Sequence, residues 1–212
     1  MKPLSTVQLF IAMLIVFSAH ASAQTGNCSS WAAKLESLEG NGSVKRGGES
    51  EWLRVTPGAT FCYGDTLRVT EFRAALRLEN DSLVRINEGS IIKFLPPKES
   101  FWVEVLNGAA HFLSRTPKKF TVKAPYMNAA VEGTEFIVSH NDNGDTVTVF
   151  EGQVLASNAQ GKIRLQALQQ SSALPNEAPT KAITINLRET AAWTLYAPPL
   201  YVPSDQLAQD IQ

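Results

Sequence analysis

Beyond its first 23 residues the chain holds two histidines, His111 and His140, the side chains best placed for metal or acid–base chemistry near neutral pH. Neither has a second ligand at HxH or HExxH spacing. His111 stands between Ala110 and Phe112, so strand alternation puts it on the face opposite theirs, towards solvent. His140 sits at the edge of a turn, and both read as surface histidines. Asn141, Asp142, Asn143 and Gly144, followed by Asp145, gather oxygen donors in a way that suggests calcium. The run is too short for an EF-hand loop and lacks its closing glutamate; it fits the needs of a tight reversal instead. Glu132 and Glu151 each precede a glycine at a strand boundary, where a structural role is expected. The serines offer no G-x-S-x-G elbow, and neither a P-loop nor a G-x-G-x-x-G is present. Carboxylates are plentiful, but a glycosidase pair is defined by separation in space, not by sequence. No catalytic residue, metal ligand or cofactor is therefore expected, and the chain reads as a non-enzyme.

The elements that would position these residues are strands. Residues 134–140 and 145–151 alternate apolar and polar around the tetrad Asn141 to Gly144, with Glu-Gly pairs outside both runs. This is a β-hairpin, and Glu132 with Asn141, Asp142, Asn143 and Gly144 is its candidate interaction surface. Upstream, a strand over 33–37 is preferred to an amphipathic helix over 29–38. Period-2 runs follow at 66–71, 73–78, 82–87 and 90–95, separated by Gly, Asn and Asp. Pro96 and Pro97 stop the last of these. Asn107-Gly108 gives the strongest short hairpin signal of the chain. Residues 120–124 form a further strand before Pro125. Short strands every 8–12 residues without helical stretches describe an all-β fold, a sandwich or roll, with a short solenoid as the alternative. The stretch 168–180, rich in Gln, Ser, Ala and Pro, reads as a flexible excursion between a domain over 24–167 and a returning segment over 181–203. Residues 204–212 resemble the start of a helix.

The N-terminal sequence pattern predicts a fold outside the cytoplasm. Lys2, an apolar run over 9–17 and the small residues 21–23 form a secretory leader, with cleavage expected between Ala23 and Gln24. The apolar run is shorter than the roughly 20 residues that span a bilayer. With 19 basic and 20 acidic residues the formal net charge is -1, and no like-charge block suggests nucleic acid. In an oxidising compartment the two cysteines, Cys28 and Cys62, are expected to form one structural disulfide; they lack the CxxC spacing of a redox or metal pair.

Several blocks resemble the FecR domain. Gly64-Asp65, Leu67-Arg68-Val69 and Ala74-Ala75-Leu76-Arg77-Leu78 are similar to its opening half. Leu106-Asn107-Gly108-Ala109, Phe120-Thr121-Val122, Val131-Glu132-Gly133-Thr134-Glu135-Phe136 and Phe150-Glu151-Gly152-Gln153-Val154 are similar to its second half, in order and spacing. The likeness covers about residues 33–187. It implies an extracytoplasmic all-β domain. In the family's best-known members that domain is the periplasmic half of a regulator relaying the state of an outer-membrane receptor to a sigma factor. Here a leader directly precedes the domain, so the anti-sigma activity is not carried over. Residues 191–199 also resemble a segment that precedes tetratricopeptide repeats. The reading is a periplasmic or cell-surface interaction module for an outer-membrane or repeat protein of the envelope, without nucleic acid and without a membrane span in the mature form. The alternative is a carbohydrate- or peptidoglycan-binding domain using Trp52 or Trp102.

Overall fold

The computed structural model describes residues 28–96, 101–114, 120–131, 133–186, 190 and 192–195. Ala23, Gln24, Glu132 and the segment 204–212 lie outside the described residues. In chain order the strands are β1 (Trp31–Glu39), β2 (Gly42–Lys45), β3 (Leu53–Arg54), β4 (Thr60–Cys62), β5 (Thr66–Val69), β6 (Arg73–Leu78), β7 (Leu83–Ile86) and β8 (Ile91–Leu95). There follow β9 (Phe101–Leu113), β10 (Phe120–Lys123), β11 (Asn128–Val131), β12 (Glu135–Asn141), β13 (Gly144–Glu151), β14 (Gln153–Ser157), β15 (Lys162–Gln166), β16 (Gln169–Ala173) and β17 (Ile183–Thr184). A single helical turn, α1, covers Ala192–Leu195.

Hydrogen bonding arranges the strands in two layers. The first runs β3-β2-β5-β8-β9-β10-β11-β14-β15. The second runs β4-β1-β6-β7-β9-β12-β13-β16-β17. Strand β9 belongs to both: Trp102 to Asn107 pair with β8, and Gly108 to Leu113 pair with β12. The fold is thus an open two-layer all-β structure. Among the described residues only β9 and β10 pair in parallel, whereas a solenoid of successive coils would stack parallel strands throughout.

The crossing point corrects one expectation. Asn107-Gly108 closes no hairpin; it lies inside β9, where the strand leaves one layer for the other. Gly108 takes φ 80°, and a Cβ there would lie 2.2 Å from Ser90 Oγ. Its conformational freedom serves a bend and a close approach instead of a reversal. The amide of Ala109 donates to Ser90 Oγ at 3.0 Å, and Asn107 Nδ2 donates to Gly89 O at 2.8 Å, which pins the corner to the loop before β8.

Alternation then builds one core between the layers. Phe112 of β9 stacks on Phe136 of β12 with centroids 5.1 Å apart, and Phe120 from the opposite layer lies 6.0 Å from both. At the other end Phe61 and Phe94 meet across the layers at 5.2 Å. All five rings are fully buried, each contributing on the order of 2–3 kcal/mol of hydrophobic stabilisation. One unit occurs twice: β5 and β8 pair around the hairpin β6–β7, and β11 and β14 pair around the hairpin β12–β13. The Glu88-Gly89 and Glu151-Gly152 pairs stand at equivalent turns of the two units.

Two further expectations meet the structure here. Cys28 and Cys62 are joined in a disulfide with Cα atoms 5.4 Å apart, tying the start of β1 to β4. Within the stretch read as a flexible excursion, Gln169–Ala173 is β16, paired in register with β13 from Asp145↔Ala173 to Val149↔Gln169. Polar composition suggested a loop, yet Ser171 and Ala173 turn into the core, while Thr148 Oγ1 donates to Gln170 Oε1 at 2.9 Å on the other face. The chain beyond β16 returns too: Ser171 Oγ donates to Thr180 O at 2.8 Å.

Candidate functional site

The candidate hairpin is built as a rigid base with an exposed tip. Asn141, Asp142 and Asn143 are exposed, and Asn141 Oδ1 accepts from the Asn143 amide at 2.8 Å. Of the tetrad only Gly144 takes a positive φ, 103°, which is the geometry of a type I turn closed by a glycine bulge. A Cβ at Gly144 would lie 2.5 Å from Ala173 O, so β16 packs directly on this glycine. Below it, the fully buried Asp145 accepts from the Tyr126 amide at 2.6 Å and meets His140 Nδ1 at 2.7 Å. Burial raises the Asp145 pKa, opposed by the hydrogen bonds from Tyr126, His140 and Met127. Asp145 and His140 are therefore the clamp that orients the tip and ties it to the loop before β11. Among the described residues no group of three or more His, Cys, Asp or Glu is placed to hold a metal ion.

His111 corrects the sequence reading. It does point away from the core between the layers, but its side chain is only 1 % exposed. The outer face of the second layer is covered at its centre. Trp193 of α1 lies edge-on to His111 with centroids 6.3 Å apart, and Phe150 of β13 lies 5.7 Å away. Two arginines hold α1 in place: Arg73 Nη1 donates to Trp193 O at 3.3 Å and Arg85 Nη1 to Thr194 O at 3.4 Å. Cations at the carbonyl end of a helical turn are electrostatically favoured. Burial, and then the nearby Arg85 charge, push the His111 pKa down to about 3. The imidazole is hence neutral at physiological pH and donates its Nε2 proton to Glu135 Oε1 at 3.0 Å. Its Nδ1 has no hydrogen-bond partner among the described residues.

The structure therefore brings Asn141 to Gly144 together at one end of the second layer and leaves His111 apart from them, under α1. Cys28 and Cys62 belong to the opposite end of that layer, on β4 and the approach to β1. The anchoring roles of Arg73, Arg85 and Trp193 were missed from sequence. The aromatic and proline content after residue 190 was the one signal pointing to them. The sheet edges are also guarded: β3 and β17 are two residues long, β4 carries the disulfide, and β15 presents Lys162 and Arg164.

Comparison with known proteins agrees with this architecture. Residues 65–155 match the family described as FecR protein. Two crystal structures of a protein from Parabacteroides distasonis, described as a "putative anti-sigma factor", superpose with a TM-score of 0.55 at 19% identity. The match covers 69% of this chain and 72% of that one. No curated protein matches the sequence.

Proposed function

Since residues 65–155 form a FecR-type domain, we propose that the protein is a non-catalytic interaction module of the bacterial envelope, exported by the leader pattern of residues 1–23 and engaging a protein partner through the tip of the β12–β13 hairpin. The role proposed is that of the FecR-type domain alone and draws on no sigma-factor-binding segment. The observation that carries it is the contrast within the hairpin. Asp142 and Asn143 are exposed and make no cross-strand packing, while His140, Asp145 and Gly144 just beneath them are locked. A rigid scaffold presenting a short polar tip needs little ordering on binding, which favours specific recognition. An outer-membrane or repeat protein is the expected class of partner.

The test is affinity capture from envelope extract with the chain from Gln24 onward, produced under oxidising conditions. Wild type and Asp142→Ala/Asn143→Ala are compared after circular dichroism shows equal folding. One envelope protein retained by wild type and lost from the double variant is the expected result. Equal retention by both would remove the hairpin from the interface.

A further inference from the structure

A second surface lies on the outer face of the first layer, away from the hairpin. Register pairing aligns Lys45 of β2 with Thr66 of β5, Thr66 with Lys93 of β8, Lys93 with Glu104 of β9, and Glu104 with Lys123 of β10. Residues of one such row share a face, and the strand spacing puts Lys45 and Lys93 ~10 Å apart. Lys123 is paired with Glu104 at 2.8 Å, but neither Lys45 nor Lys93 forms an ion pair among the described residues. Arg68 lies on the same face, its guanidinium 4.3 Å from the centre of the Trp52 ring, and Lys45 Nζ is 5.4 Å from that ring. Lys45, Trp52, Thr66 and Lys93 border an open cleft of about 450 Å³, with Arg68 just outside its lining. Arg46, also in the lining, is neutralised by Asp65 at 2.6 Å. Among the described residues Glu49 is the one carboxylate of the lining, so Lys45, Lys93 and the adjacent Arg68 leave a positive excess.

We propose that this cleft binds an acidic glycan, a saccharide chain bearing carboxylates. Three features select that class. Lys45 and Lys93, without an ion pair among the described residues, favour an anion. The apolar surface between them, from Trp52, Ile91 and the 37 % exposed Leu106, suits the C–H face of a sugar ring and would be wasted on inorganic phosphate. The cleft is open and runs across strands, which fits a chain passing over it better than a small enclosed ligand. Cation–π contact with Trp52 holds Arg68 and Lys45 ready, reducing the ordering cost on binding. The site is independent of the hairpin reading.

Binding is measured by calorimetry on the chain from Gln24 onward with polygalacturonate, its fully methyl-esterified form and polyglutamate. Polygalacturonate is expected to bind in a salt-sensitive manner, at least tenfold more tightly than either control. Lys45→Gln/Lys93→Gln, two surface changes, is expected to weaken it at least tenfold, and Trp52→Ala, which removes both the apolar surface and the contact that holds Arg68 and Lys45, to weaken it as well. Asp142→Ala/Asn143→Ala should bind polygalacturonate like wild type, so failure of the hairpin reading is seen separately. No binding of polygalacturonate, equal binding of the methyl ester or polyglutamate, or an unaffected double lysine variant would each overturn the proposal.

Discussion

Two buried titratable groups do opposite work in this protein. His111 is kept neutral, its pKa down at about 3 against an ordinary 6.5, so between those values the unfolded chain takes up a proton that the folded one refuses. Its contribution to stability is complete above about pH 6.5 and is lost as pH falls towards 3. Lowering the pH from 6.5 to 4.5 should cost about 2–3 kcal/mol through this residue. His111→Gln should lose that part of the slope, read as urea midpoints at the two pH values. Asp145, by contrast, is an acceptor for the backbone. Asp145→Ala strands the Tyr126 amide and frees His140, and should cost about 2–4 kcal/mol in the same assay. Both roles were half legible in the sequence. Alternation placed His111 on the outer face correctly, but period-2 patterning says nothing about what covers that face. The Asn/Asp/Gly run around Asp145 announced a turn, while the loop it clamps is distant by many residues and invisible to local pattern.

At the scale of elements, strands were readable wherever one face was apolar and the other polar, as in β6, β12 and β13. They were lost where composition misled. β16 reads Gln-Gln-Ser-Ser-Ala and looks like a loop; its place in the layer comes from pairing with β13, a tertiary effect. Asn107-Gly108 has the chemistry of a hairpin turn and is used as a corner, because the strand after it finds partners in the other layer instead of folding back on its own first half. The corner is a sharp stability test. Gly108→Ala combines a positive φ with contact against Ser90 and should cost about 2–4 kcal/mol by urea denaturation, well above the cost of an ordinary glycine replacement. Near-normal stability would mean that the bend at β9 can be relieved elsewhere.

For the whole molecule, the two layers share one strand and one core, and the covalent tie between Cys28 and Cys62 spans 34 residues. By chain-entropy arithmetic reduction should cost roughly 4 kcal/mol, seen as a lowered urea midpoint with dithiothreitol. The FecR resemblance read from short blocks is matched by the family comparison over residues 65–155, and the all-β class by the strands themselves. Function lies further from the sequence, since recognition rests on which turns and faces the packing leaves open. The most direct test places a photo-crosslinking amino acid at Asp142, at the hairpin tip, and separately at Glu88, an exposed turn of the sister unit. Both are exposed to envelope extract under oxidising conditions. Crosslinking of one discrete envelope protein from position 142 and not from position 88 is the expected result. The same products from both positions, or none from 142, would contradict the hairpin as the interaction surface.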